Sequence, residues 1–281
     1  MINYNPVQIL FNLGSLNVYS WGLFFAIAFL VAFFLILKEA RKKKIETIHI
    51  YNIGFFALLG AIIGSRLFYV IENLGYYIGK PLEMLFFWQG GMTSYGGLIL
   101  GFIFVWIYIE RHPDLKFLQI LDISAPYIAL AFAIGRIGCF LNWDDFGIVS
   151  TLPWAIKTAN DIPRHPTQIY LIIADLIIFF ILMKLKNRRH ESEKVSRFKK
   201  DSYKDISFIH ESDFLDKEGA IFLIFLLSYS VFRFFIDFLR SYNNYLLGLA
   251  TSQWICILLF VVSIIVIANI DKIQRKDYGW N

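Results

Sequence analysis

Long apolar runs separated by short charged segments dominate the pattern of this chain. A bilayer core about 30 Å thick needs roughly 20 apolar residues per helix, and seven stretches meet or approach that length: 18–37, 50–71, 92–109, about 119–141, 166–183, 219–239, and one within 241–270. Ionisable residues interrupt some of them. Arg66 lies in the second, Arg136 in the fourth, Asp175 in the fifth, and Arg233 with Asp237 in the sixth. The fourth and sixth are therefore expected to fail a strict hydropathy cut. The pattern predicts an all-α integral membrane protein, a single polytopic domain over 1–281 with about seven transmembrane helices.

Composition sharpens this picture. The chain is 57% hydrophobic, 18% aromatic and only 17% charged, too apolar for an ordinary water-soluble domain. Two cysteines exclude a disulfide scaffold or a multi-cysteine metal cluster. Charge then sets orientation. Twenty of the 27 Lys and Arg residues fall in 38–46, 110–116, 184–217 and 271–281, alternate connections that the positive-inside rule makes cytoplasmic. Seven spans with that bias put the N-terminus outside and the C-terminus in the cytoplasm. No charged residue precedes Val18, so the first span lacks the basic region and cleavage site of a signal peptide and is expected to be retained.

The connections differ in character. Residues 184–218 read as a polar cytoplasmic loop of mixed charge that can touch anionic lipid. Residues 142–165, with NWDDFG, Pro153–Trp154 and IPRHP, are long enough for a small extracytoplasmic cap. Residues 76–91, with LFFWQGG, read as an interfacial arm whose aromatics sit at headgroup level. No internal repeat is evident, which gives little support to an inverted-repeat transporter.

An ionisable residue within a span is costly and calls for a function. Arg233, Asp237 and Arg240 follow i, i+4, i+7 and share one helix face. One reading is a structural cluster that ties helices together. Asp237 alone neutralises only one of its neighbours, however, and with Arg66 and Arg136 there are four arginines against Asp237 and Asp175. Such a surplus in hydrocarbon needs an anionic partner. A phospholipid head group fits, because guanidinium binds phosphate bidentately and stays charged when desolvated. Gly90, Gly91, Gly96, Gly97, Gly135 and Gly138 allow close approach of a ligand or, equally well, of another helix.

At these residues the chain resembles the prolipoprotein diacylglyceryl transferases of bacterial plasma membranes. GRIGCFLNWDDFG looks like the family signature, and SWGLFF, IGSRLFYV, GGMTSYGGLILG, RHPTQIY and FRFFIDFLR follow the family's order along nearly the whole chain. The resemblance implies a seven-span helical enzyme, and neither cofactor nor metal is expected. It would move a diacylglyceryl group from phosphatidylglycerol to the thiol of a lipobox cysteine in preprolipoproteins and release glycerol 1-phosphate. It places the essential signature arginine at Arg136, with Asn142, Asp144, Tyr229, Arg233, Asp237 and Arg240 as further lipid-binding positions. Gly96, Gly97 and Arg66 join them from the glycine and arginine reading above. Departures are Tyr95 where a histidine is familiar, Cys139 for an asparagine, Leu171 for a glutamate, and Asp144 and Asp237 for longer Glu.

The chemistry can be set out from the residues. A thiol attacking the phosphate-bearing glycerol carbon drives off a phosphate monoester, whose growing charge needs cations in place; Arg136 and Arg233 supply them. The thiol needs a base or a positive field. Tyr95, a phenol with reference pKa about 10, is a poor base and is assigned a hydrogen bond to the donor lipid. Of five histidines only His165 is expected beside the outer face, as base or as a plain interface residue; Asp144 is an equal candidate. Cys139 and Cys256 read as small packing residues. His49, His112, His190 and His210 lack metal-ligand spacing, and topology explains the basic residues without nucleic acid. An anionic-lipid transporter or an inactive lipid-binding paralogue remain the alternatives. Asp175 can pair with Arg66 or be protonated.

Overall fold

A computed structural model of the chain describes residues 2–14, 16–86, 90–159, 162–202, 214–242 and 245–277. Helices form at all seven expected places: α1 (Ser20–Lys42), α2 (Thr47–Glu72), α4 (Ser94–Glu110), α5 (Phe117–Asn142), α6 (Thr167–Ser202), α7 (Ala220–Asp237) and α8 (Thr251–Asp277), with a single turn, α3 (Leu74–Tyr77), after α2. Six are long and apolar enough to cross a membrane, so the protein is a multi-pass membrane protein. The expected weakness of the fourth and sixth runs is corrected. Both pass, because their apolar residues outweigh one or two charges; it is α4, with 17 residues, that falls short.

Two further expectations change. The polar stretch 184–218 is not loop at its start, since α6 continues to Ser202 and is 36 residues long. Residues 203–213 lie outside those described, and Phe214–Asp216 form one 3-10 turn. Short strand pairs also accompany the helices. The N-terminal β1 (Ile2–Asn3) runs parallel to β4 (Ile156–Lys157), β2 (Ile9–Leu13) pairs with β3 (Leu16–Tyr19), and β5 (Tyr245–Leu246) with β6 (Leu249–Ala250). Residues ahead of the first span therefore pair with the segment 142–165. Tyr4 donates its hydroxyl to the Leu141 carbonyl at 3.1 Å, and burial raises its pKa and keeps that proton in place.

The chain forms two compact units, 1–34 with 121–281, and 35–120. In the latter, α2 and α4 approach so closely that side chains have no room. A Cβ on Gly60 would stand 2.7 Å from the Leu100 carbonyl oxygen, and one on Gly96 would overlap the Gly64 carbonyl and the Phe68 side chain. At the far end of these helices His49 joins Asp114 (2.8 Å) and the Tyr108 hydroxyl (2.9 Å).

In the former unit the core is made by Ala125 and Ala129 of α5, Ile178 and Leu182 of α6, and Ile221 and Phe225 of α7. Small residues on α5 let the larger side chains of its neighbours fill the seam. Asp122 holds the start of α7 as a borrowed N-cap: its carboxylate accepts from the Gly219 and Phe222 N–H groups (2.8 and 3.0 Å) and pairs with Arg189 at 2.7 Å. This fixes the base of the helix whose other end carries Arg233 and Asp237.

Candidate functional site

The ends of α5 and α7 supply the charged groups. Arg136 lies two turns before the end of α5, and Arg233 and Asp237 share a face at the end of α7. Beyond α5 the chain turns through Trp143 and Asp145, both at φ 60, a backbone region that costs about 1–3 kcal/mol per non-glycine residue. Surrounding bonds hold this strained loop. Thr167 donates to the Asp145 carbonyl at 2.6 Å, and the buried Gln168 donates to the Asp144 carbonyl, so the start of α6 grips the loop by its backbone. Trp143 is wedged among Tyr4, Phe140 and Phe146.

Main-chain pairing then stitches three segments together. Gly147 bridges Arg240 on one side, while its N–H donates to the His165 carbonyl on the other at 2.9 Å. Ile148 donates to Leu239, and Ser241 to Phe146. Gly147 must be glycine, because a Cβ there would stand against His165 and the Leu239 carbonyl.

This scaffold aligns a continuous ionic chain. Asp145 pairs with Arg136 at 3.1 Å and also with Arg240; Asp237 pairs with Arg240 at 3.5 Å and with Arg233 at 3.1 Å. Ser252, from the start of α8, donates to Asp237 at 2.6 Å. The Tyr242 hydroxyl accepts from Arg240 at 2.8 Å and from Arg233 at 3.4 Å, and lies 2.9 Å from Ser252 Oγ. Burial raises the Tyr242 pKa, so the phenol keeps its proton through the neutral range. Asp175 and Tyr229 stand within electrostatic reach of Arg136 and Arg233, and the Tyr229 ring packs on Phe132 and Phe225.

This geometry bears on three sequence expectations. In the acidic doublet, Asp144 accepts from the Asn142 amide, and Asp145 ties two arginines together. Asp175 has Arg136 and Arg233 within electrostatic reach in its own unit. Counting Asp145 narrows the charge surplus: Arg136, Arg233 and Arg240 meet Asp145 and Asp237 as ion pairs, with Asp175 in electrostatic reach. What remains unmatched is smaller and more specific. Arg233 Nη1 and Arg240 Nε are buried and have no partner among the described residues. Native proteins rarely leave such donors empty, and a charged one is the costliest.

Arg66, Gly96 and Gly97 belong to the other unit, where each has protein partners. Arg66 is as buried as Arg233, at 8% exposure each, yet its donors are directed at backbone carbonyls: Nε to Met84 (2.9 Å), Nη1 to Gly90 (2.7 Å) and Gly91 (3.0 Å), and Nη2 to Glu83. The rings of Tyr69 and Tyr77 flank it at 5.8 and 5.4 Å. It clasps the arm. Phe87, Trp88 and Gln89 of that arm lie outside the described residues. Gly96 and Gly97 face Gly64, Phe68, Ala61 and Ser65 of α2, so their small size serves helix packing. Tyr95 is 46% exposed on the first turn of α4.

Asp145, Tyr242 and Ser252 were not singled out from the sequence. The adjacent aspartates offered a signal for the first, but choosing between them depends on the turn at Trp143. Nothing in the sequence marks the other two.

The fold and this site define the class: a multi-pass membrane protein with an arginine–aspartate cluster and unfilled guanidinium donors at the ends of its spans. Comparison with known proteins makes the class specific. The chain matches the family described as prolipoprotein diacylglyceryl transferase over residues 8–201 and 203–269. It is 30% identical over 283 residues to a phosphatidylglycerol–prolipoprotein diacylglyceryl transferase of Pediococcus pentosaceus, covering 97% of this chain and 92% of that protein. Proteins of the same name from Bordetella avium (31% over 270 residues; 92% and 91% covered) and Streptococcus agalactiae (30% over 287 residues; 98% and 99%) are similar as well. The chain belongs to the prolipoprotein diacylglyceryl transferase family.

Proposed function

We propose that this chain is a transferase of the bacterial plasma membrane that moves the sn-1,2-diacylglyceryl group of phosphatidylglycerol to the thiol of a lipobox cysteine in preprolipoproteins, the first step of lipoprotein maturation. The cap faces outward and the C-terminus lies in the cytoplasm. The observation that carries the site assignment is the buried Arg233 Nη1, without a partner among the described residues, in a cluster whose guanidinium groups are otherwise held by carboxylates. A phosphate oxygen is an acceptor of the right charge and geometry for it.

In the reaction the cysteine sulfur attacks the glycerol carbon bearing phosphate. The carbon–oxygen bond breaks, its electron pair leaves with the phosphate monoester, and glycerol 1-phosphate is released. Arg233, Arg136 and Arg240 are already oriented by Asp237 and Asp145, so they stabilise the growing negative charge without reorganising. Their positive field also favours the thiolate. The thiol proton leaves to a base, for which Asp144 and His165 are the sequence candidates. Tyr95, Asn142 and Tyr229 remain proposed contacts to the donor.

The test is reconstitution of the full chain with phosphatidylglycerol and a lipobox peptide. Lipidated peptide and glycerol phosphate should form in equal amounts. Folded protein that binds lipid yet releases no glycerol phosphate would instead be an inactive lipid-binding paralogue, and transport of intact lipid would mark a flippase.

A further inference from the structure

A polar chain runs through the segment around His165. Trp154 Nε1 lies 2.8 Å from the Tyr170 oxygen, and that oxygen lies 3.2 Å from His165 Nδ1. Bond directions follow from the chemistry of the groups. An indole N–H can only donate, so the phenol oxygen accepts the first bond. The phenol carries one hydrogen, and the arrangement that keeps it within the protein donates it to His165 Nδ1, the other hydrogen-bond neighbour of the hydroxyl among the described residues. A neutral imidazole that accepts at Nδ1 must carry its hydrogen on Nε2.

His165 has little freedom to escape this arrangement. Its N–H donates to the Ile148 carbonyl and its carbonyl accepts from Gly147, which places its backbone one strand away from Arg240. Pro166 follows directly and opens α6, whose first turn carries Tyr170 on the same side as the imidazole. The ring is thus held from both ends, by a short ladder and by a phenol that an indole orients.

We propose that Tyr170, oriented by Trp154, is a positioning residue that fixes neutral His165 with its hydrogen on Nε2, so that the ring meets substrate as a hydrogen-bond donor to an oxygen. This rests on the reading of the cap as part of the transfer site. In that tautomer Nε2 has no lone pair for the thiol proton, which leaves Asp144 as the base in the cap.

The experiment uses full-length protein in phosphatidylglycerol bilayers, labelled with 15N-histidine. His165 resonances are assigned by their loss in His165→Gln. Wild type should show a protonated Nε2 and an unprotonated Nδ1 in the neutral ring, and Tyr170→Phe should shift the population toward a mixture of tautomers. In the transfer assay Tyr170→Phe should lower kcat/KM about tenfold, the size of one lost hydrogen bond, change the pH profile, and have no further effect in a His165→Gln background. A wild-type ring protonated on Nδ1, or a Tyr170→Phe effect of equal size without His165, overturns the proposal. The tautomer is read without turnover, so failure of the transferase reading and failure of this assignment give different results.

Discussion

Arg66 and Arg233 are buried to the same extent in apolar helices, and they do opposite things. Arg66 directs its N–H groups to four carbonyl oxygens and lies between two tyrosine rings, all within its own unit. Arg233 is held by Asp237 and Tyr242 and leaves Nη1 without a partner among the described residues. A buried arginine in a span is thus not evidence of a site in itself. The distinction lies in whether its donors are filled by the protein, since a filled guanidinium is a clasp and an unfilled one is a receptor.

The comparison breaks most sharply at Arg233 and Arg136. Alanine at either should reduce transfer by about 100-fold or more, the usual effect of removing one donor to a developing anion, a loss out of proportion to the fall in the thermal unfolding midpoint that breaking its ion pair causes. Arg66→Ala should invert that pattern. It leaves four carbonyls without their donor, which costs about 1–3 kcal/mol or more, so the midpoint falls and protease cuts the arm at 81–91 more readily. An Arg66→Ala protein that is stable yet inactive would contradict the division.

Asp145→Asn should come next, at about tenfold to 100-fold in kcat/KM, because one carboxylate orients both Arg136 and Arg240. Asp144→Asn tests whether that residue is the base. If it is, the acid limb of the pH profile disappears. If it only accepts from Asn142, the profile keeps its shape and the rate drops modestly. Gly64→Ala should destabilise by about 1–3 kcal/mol through overpacking against Gly96 and Leu100, without a specific kinetic effect. Tyr242→Phe should be the mildest, a loss of about threefold to tenfold, since Asp237 and Asp145 still hold both arginines.

How much of this was legible in the sequence follows from the physics of each contact. The spans were readable because burial in lipid requires long apolar runs, and the Arg233–Asp237–Arg240 face was readable because helical spacing fixes it. Arg66 was not, because its partners are backbone carbonyls on a separate arm and carbonyls leave no signature in residue identity. Gly96 was ambiguous for a related reason: glycine permits close approach without saying of what. The role of Asp145 over Asp144 turned on two positive-φ residues, Trp143 and Asp145, a conformation that no local preference predicts. The N-terminal strand escaped notice because a two-residue pairing with Ile156 and Lys157 has no periodicity to detect.

The central claim is that Arg233 grips the phosphate of the donor lipid and Arg66 does not. Dipolar coupling between 31P of bound phosphatidylglycerol and 15N-labelled arginine in the folded, reconstituted protein measures this directly. The account predicts a coupling in wild type that persists in Arg66→Lys and weakens strongly in Arg233→Lys. A coupling that survives loss of Arg233 but vanishes with Arg66 would contradict it.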